Sequence, residues 1–386
     1  MVVSMKIKKL LNLIHAYMDL LLAREKPCAF PVELSLGTTS FCNLKCIHCP
    51  REGSDGNLVP FDEHLDMDYF REFQPYLERA KDIYLYGLGE PMIDNRYFEK
   101  VRYVASFGGN VGLSSNGTLL DEKRCREVVL SGIKGIGISL DASSEEVFRI
   151  VRPPGGLPKI IENIKRLESI KKEYNSVTPI VKLSFGIMRQ NLHDLPFFPD
   201  VAEELHCNEI IVHPIVYMSE KMKRDSEVDR DQLTQVVEET REKTEAKGII
   251  FSYWDLDPMT FLKSLDYAKT IQQNHVGWVE QSETHHDVTE KQKKTKKSYF
   301  CFFLWRNAMV QGKGEVFPCC YITNMRVGKI QNGNLRELRG RPLMASLRKD
   351  LFEGNPPAPC AKCPQLQPFD RWTILKSAIK EMYHFL

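Results

Sequence analysis

The chain has 386 residues, 42% of them hydrophobic and 27% charged, enough to bury one large core and a smaller one in an ordinary soluble globular protein. Its 53 basic and 51 acidic side chains leave a formal charge of +2, which excludes a global field drawing it to nucleic acid or an anionic membrane, so any charged partner must be recognised locally. The 11 cysteines are clustered and follow no convincing signal peptide, which argues against a small disulfide scaffold and for metal ligation in a cytoplasmic chain.

In chain order, the first predicted element is an amphipathic helix over residues 5–24, MKIKKLLNLIHAYMDLLLAR. Ile7, Leu10, Leu11, Ile14, Met18, Leu21 and Leu22 recur at helical spacing, and Leu13, Tyr17 and Leu20 widen that side. His15 and Asp19 interrupt the apolar run well short of the ~20 residues a membrane span needs. The helix is expected to lie across the body of the protein; Lys6, Lys8 and Lys9 leave peripheral attachment to a membrane surface as the alternative.

From residue 33 the pattern alternates between short apolar runs and helical stretches. Strands are predicted at 32–40, 82–89, 110–117, 133–141, 181–188 and 209–216, with helices at 67–80, 96–108, 121–132, 157–173 and 194–206. Six strands joined by crossovers imply an α/β fold, a partial (β/α)6 TIM-like barrel whose chemistry sits at the C-terminal strand ends. Beyond 217 come a helix near 230–247, a strand at GIIFSYW, and a polar stretch at 281–298 with five lysines in seven residues, which reads as a solvated linker. The expected divisions are therefore 1–32, 33–216, 217–298, 299–366 and a tail helix over 367–386. The fourth of these is a small domain built on a β-hairpin at 308–320 and adjoining helices.

The loop after the first strand, FCNLKCIHCP at 41–50, puts Cys42, Cys46 and Cys49 at C-x3-C-x2-C spacing. Iron–sulfur cubes are held by cysteine thiolates, and three of them leave one iron open for a substrate or cofactor. Zinc favours closed sets of four, and His48 directly adjoins Cys49, an awkward geometry for a shared tetrahedral site.

C-x3-C-x2-C in this position resembles the signature of radical S-adenosylmethionine (radical SAM) enzymes, and the resemblance extends over roughly 33–215. It implies a 4Fe-4S cluster on the three cysteines whose open iron chelates S-adenosylmethionine, and reductive cleavage of that cofactor to a 5'-deoxyadenosyl radical that abstracts hydrogen from substrate. YGLGEP at 86–91 is similar to the family's Gly-Gly-Glu-Pro stretch: Gly89, Glu90 and Pro91 match, and Leu88 stands for the first glycine. By the resemblance, Gly89 and Glu90 meet the cofactor's ammonium group. Ser115 and Asn116 of SSNGTLLD, and Ser139 and Asp141 of GISLD, meet its ribose or methionine. Arg152 of VFRIVRPPGG, with Arg149 as rival, meets its carboxylate, and His48 packs on adenine.

A second group, Cys301, Cys319, Cys320, Cys360 and Cys363, resembles the shortened, twitch form of the SPASM extension. That resemblance implies an auxiliary 4Fe-4S cluster on Cys301, Cys319, Cys360 and Cys363, with the part of Cys320 open; a structural zinc ribbon is the alternative. Cys125 and Cys207, in or beside helical patterns, read as packing residues.

An all-thiolate cluster suits electron transfer. Hydrogen abstraction from an alcohol carbon leaves a radical that must lose one more electron to become a carbonyl, and the resemblance to aminocyclitol dehydrogenases of this two-cluster plan implies oxidation of a sugar, cyclitol or lipid-linked metabolite as the expected reaction. The alternatives are a peptide maturase or epimerase, and, outside catalysis, a metal-binding or electron-transfer protein. About 32 residues precede the first strand, too few for a peptide-recognition domain, which weighs against a ribosomal-peptide maturase. A flavodoxin- or ferredoxin-type electron donor is implied, no nucleic acid is expected, and the catalytic base is left open among the carboxylates, lysines and arginines of 213–320.

Overall fold

Runs of Val, Ile and Leu form the parallel strands, and their alternation decides what each strand shows to either side. The computed structural model describes residues 2–49, 64–217, 219–254, 297–311, 314–319, 325–331, 333–358, 360–361, 363 and 366–385. Strands β1 (Glu33–Leu36), β2 (Asp82–Tyr84), β3 (Asn110–Ser115), β4 (Ile133–Ser139), β5 (Ile180–Ile187) and β6 (Glu209–Pro214) pair in chain order, all parallel, as the partial barrel requires. Leu34, Ile83, Leu113, Ile138, Leu183 and Val212 are buried in one core with the crossover helices; each such side chain contributes about 1.5–3 kcal/mol. The alternate positions, including Ser35, Tyr84, Ser114, Ser139, Ser184 and His213, turn to the concave side, which is small and polar. Gly112 lies there because a Cβ would meet the Tyr84 ring at 2.7 Å.

Two helices differ from expectation. The stretch 67–80 is split into Met67–Arg71 and Gln74–Leu77, since Pro75 lacks an N–H and fits only a first turn. The stretch 194–206 becomes a 3-10 turn, Leu192–Phe197, followed by the helix Phe198–Glu204, with Pro196 and Pro199 as the cause. The helix Leu157–Glu173 forms at the predicted bounds. The helix Glu122–Leu130 is N-capped by Asp121 and closed at Gly132, whose φ of +93° suits glycine.

The sheet continues across both expected domain boundaries. At one edge β7 (Ile250–Tyr253) pairs parallel with β6. At the other, β9 (Asn307–Gln311) pairs parallel with β1 and antiparallel with β10 (Glu315–Phe317), which carries β11 (Gly328–Lys329), so ten strands make one sheet. A separate ribbon joins β8 (Tyr299–Cys301) to β12 (Leu366–Pro368). Strands β7 and β9 to β11, which follow the expected divisions at 217 and 299, thus join the same sheet as the barrel strands. Most of the 281–298 stretch, Cys320 and the expected hairpin residues Gly312 and Lys313 lie outside the described residues.

The first helix, α1 (Val2–Leu21), buries only one edge of its broad apolar side, the edge that carries Leu13, Tyr17 and Leu20. Leu13, Ala16, Tyr17 and Leu20 are buried, whereas Ile7, Leu11, Ile14, Met18 and Leu22 are exposed. The buried face also holds Asn12 and Asp19, whose polar groups are satisfied. Asn12 donates to the carbonyls of Phe30 and Arg79 at 3.2 Å and accepts from the Phe30 N–H at 2.9 Å; Asp19 accepts from the Ala29 N–H at 2.8 Å. The link from α1 to β1 is held from the far end of the chain. Trp305 Nε1 donates to the Arg24 carbonyl at 3.0 Å, and the fully buried Arg348 donates to those of Glu25 (2.6 Å) and Leu304 (2.7 Å).

The helix Arg371–Phe385 packs on α1 through Glu381, which accepts from Tyr17 Oη (2.7 Å), Lys81 Nζ (2.8 Å) and Arg306 Nη2 (2.8 Å). Burial alone would raise this carboxyl, but Arg306, Lys81 and Tyr17 outweigh it and hold it below the ordinary range. A lowered folded-state pKa means stability that is present above the unfolded value and lost as pH falls through the folded one. Glu381→Gln should therefore cost roughly 1–3 kcal/mol at pH 7 and converge on the parent in acid, as measured by urea unfolding across pH.

Candidate active site

The cysteine loop follows β1 and is clamped from three neighbouring strand ends. From the β2 end, Glu90 N donates to Phe41 O at 2.8 Å. Gly89 is pressed so closely on this loop that a Cβ would lie 2.4 Å from Phe41 O and 2.7 Å from Thr39 O. From the segment after β4, the N–H groups of Lys45 and Ile47 donate to the carbonyls of Pro153 (2.6 Å) and Val151 (3.1 Å). From the β3 end, Asn116 Nδ2 donates to Asn43 Oδ1 at 2.9 Å and lies 3.9 Å from Cys42 Sγ, while Asn43 Nδ2 donates to Thr118 Oγ1 at 2.8 Å.

Glu90 is buried beneath this assembly. One carboxylate oxygen accepts from Ser115 Oγ (2.8 Å) and Met92 N (3.2 Å), the other from Asn116 N (2.7 Å). Burial raises its pKa despite these donors. The structure thus gives Glu90 and Ser115 a shared task not foreseen from the motif, tying the β2 loop to the β3 loop.

Asp141 stands at the end of β4 with φ +58°, held there by Asn191, whose Nδ2 donates to Asp141 O at 2.8 Å. Its carboxylate accepts from Gly186 N at 2.6 Å and Arg152 Nε at 2.7 Å, and lies 3.5 Å from His48 Nε2. Burial would raise the Asp141 pKa, but Arg152, His48 and the Gly186 N–H outweigh it and lower it. Arg152 also reaches Cys46 Sγ at 3.6 Å, so it sits below the loop as a link between Asp141 and a thiol. Arg149 is separated from the site, paired on the surface with Glu145 at 2.5 Å. Ser139 is opposite Ser184 in the β4–β5 register, on the concave side.

Two further residues join the site. His213 of β6 stands 3.5 Å from Ser184 Oγ and stacks on Trp254 with ring centroids 6.1 Å apart. Burial lowers its pKa against the opposing pull of the Pro214 carbonyl and Asp141. The signal for His213 was its inward position in EIIVHPIV; Trp254, one residue past β7, had none.

The donor set fits a cube better than a single ion. Among the described residues no three His, Cys, Asp or Glu side chains converge on one ion's position; each thiolate of a 4Fe-4S cube binds its own iron, so convergence is not what the cube calls for. Two buried polar atoms beside the loop, His48 Nδ1 and Thr38 Oγ1, have no protein partner among the described residues, which suits a site that receives a polar cofactor. Burial raises the Cys46 pKa to about 11, so without a bound cation this thiol stays protonated.

In the second group, Cys301 ends β8 opposite Leu366 of β12, and Cys363 N donates to Cys360 O at 3.0 Å. Burial pushes Cys301 up to about 12 and raises Cys360; charges on Cys301, Cys360 and Cys363 would oppose one another, as expected of thiols gathered round one centre. Cys319 lies two residues past β10. Cys125 and Cys207 are buried packing residues, with Cys125 Sγ donating to Leu120 O at 3.4 Å.

Comparison with known proteins accords with both halves. The model of the radical SAM superfamily matches residues 36–185, and that of the SPASM iron-sulfur cluster-binding domain matches 301–364. A curated relative from Pyrococcus furiosus, the tungsten-containing aldehyde ferredoxin oxidoreductase cofactor-modifying protein, is 27% identical over 199 residues, 50% of this chain and 54% of its own length. The chain spans about half the length of the first curated relatives it matches. Among solved structures, SuiB of Streptococcus suis bound to S-adenosylmethionine aligns over 83% of this chain and 68% of its own, with TM-score 0.61 and 15% identity. The protein anSMEcpe, with bound AdoMet and a peptide, aligns over 92% and 96%, with TM-score 0.54 and 15% identity, a likeness of fold alone. With the cysteine loop, its clamps and the downstream thiols in place, the chain is a radical SAM protein, carrying the radical SAM domain over 36–185 and a SPASM domain at its C-terminal side, which imply S-adenosylmethionine and 4Fe-4S clusters as cofactors.

Proposed function

We propose that this enzyme oxidises an alcohol carbon of a hydroxyl-rich small or lipid-linked metabolite. The observation that carries this reading is the concave side of the sheet, lined by Ser35, Ser114, Ser139, Ser184 and His213, groups that hydrogen-bond hydroxyls, on a fold that also carries a second, closed set of thiols. When bound, the first cluster and S-adenosylmethionine supply a hydrogen-abstracting radical, and the auxiliary cluster supplies a one-electron acceptor.

Cys42, Cys46 and Cys49 would hold the first cluster. Asn116 near Cys42 and Arg152 near Cys46 offer N–H groups to the sulfurs, and the Arg152 charge opposes the burial that raises the Cys46 pKa. His48, Gly89, Ser139 and Asp141 remain the candidates to meet the cofactor. Asp141 fixes Arg152, and Glu90, Ser115 and Asn116 hold the loops rigid beneath it. Cys301, Cys319, Cys360 and Cys363 would hold the auxiliary cluster, and a flavodoxin- or ferredoxin-type donor would supply electrons. His213, beside Ser184 on the same concave side, is the first candidate to accept the hydroxyl proton.

Anaerobic reconstitution, reduction and assay for 5'-deoxyadenosine test the enzyme, and deuterium transfer from labelled polyols into 5'-deoxyadenosine tests the substrate class. Absence of transfer from every polyol, with transfer from a peptide, would replace this reading by peptide modification, which is favoured by the peptides bound to SuiB and anSMEcpe. Substituting all four auxiliary cysteines with alanine should lower iron from about eight to about four per chain, by the four-iron count of each cube. Unchanged iron would refute that ligand set.

A further inference from the structure

Nine of the seventeen large apolar side chains that stand exposed among the described residues lie on just two helices. On α1 these are Ile7, Leu11, Ile14, Met18 and, just past its end, Leu22; on the helix Arg371–Phe385 they are Trp372, Leu375, Ile379 and Tyr383. Both sets recur at helical spacing and form continuous stripes. The two helices pack on each other through Tyr17 and Glu381, and both bury their opposite faces in the same core, so the stripes look away from it. Apolar residues gathered in this way mark a docking surface.

We propose that this two-helix face docks the protein on an anionic lipid bilayer. The charge around it selects the partner: Lys6, Lys26, Arg371, Lys376 and Lys380 are exposed there, against Glu25 and Asp370. Such a basic rim outweighs the +2 of the whole chain and complements acidic headgroups. A second copy would bring the same cations face to face and be repelled. Trp372 and Tyr383 are the amphipathic aromatics that settle at headgroup depth. Among the described residues no helix is long and apolar enough to cross a membrane, so the contact is a surface one in which the stripes enter the interface and the lysines stay in water.

The test is flotation of the anaerobically purified full chain, clusters loaded, with vesicles of phosphatidylcholine alone or with phosphatidylglycerol. Binding should be about tenfold or more stronger to the anionic vesicles and should weaken with salt. Leu11→Glu with Ile379→Glu should reduce it by about tenfold or more, while 5'-deoxyadenosine formation persists. Lys376→Glu with Lys380→Glu, changes at exposed positions that keep every apolar stripe residue though they remove the Lys376 ammonium from over the Trp372 ring, should remove the preference for anionic vesicles. No binding to either vesicle overturns the proposal, and so does self-association through this face, with vesicle binding absent and the dimer abolished by the same apolar substitutions.

Discussion

Gly89→Val is expected to strip the first cluster and leave the second, lowering iron from about eight to about four per chain and abolishing 5'-deoxyadenosine formation. A Cβ here meets backbone atoms of residues 39–41 at 2.4–2.7 Å, and backbone cannot rotate away as a side-chain tip can. Either the β2 loop or the cysteine loop must shift, and the Glu90 N to Phe41 O bond links the two. Gly135→Ala is the control: its added methyl would have no heavy atom nearer than 3.8 Å, so iron and turnover should be unchanged. Eight irons and full turnover in Gly89→Val would show that the loop is held otherwise.

Arg152→Gln should cost about 3–5 kcal/mol at pH 7, because it leaves the Asp141 carboxylate buried without its cation. It should also depress 5'-deoxyadenosine formation, since Arg152 joins Asp141 to the Cys46 thiol. Arg152→Lys keeps the charge and loses the planar fork that spans Asp141 and Cys46 together. It should recover much of the stability and little of the activity. Equal recovery of both would mean that charge alone matters there. Urea unfolding and the 5'-deoxyadenosine assay give the two readings separately.

Local pattern carried much of the fold. Apolar runs located all six barrel strands, because a strand's period is a property of adjacent residues, whereas the candidate site was read from the cysteine spacing and a family resemblance. What depends on partners far along the chain was not legible. Asp141 and Arg152 were each read as cofactor contacts, and nothing in either segment says that they pair. Glu90 was read as a contact of the cofactor's ammonium, and nothing in YGLGEP says that Ser115 and Asn116 donate to its carboxylate. Which edge of the broad apolar side of α1 is buried was not legible for a similar reason. Asn12 and Asp19 belong on its buried face only because Phe30, Arg79 and Ala29 offer them hydrogen bonds. The breaks at Pro75 and Pro196 follow from the missing N–H alone and so lay in the local sequence, yet the apolar spacing on either side was read as one helix in both stretches.

The pairing of β9 with β1 sets the order in which the chain can finish folding. Glu33 and Asn307 are matched across roughly 270 residues, so the outer edge of β1 has no strand to pair with until the ribosome has passed β9. At translation rates of about 5–20 residues per second, that edge stays open for about 15–55 seconds. An unpaired edge is a template for aggregation, and here it lies next to the loop of three thiols proposed as ligands of the first cluster. Holding this nascent chain in anoxic, chaperoned conditions through that interval therefore bears on yield as directly as the supply of iron and sulfide.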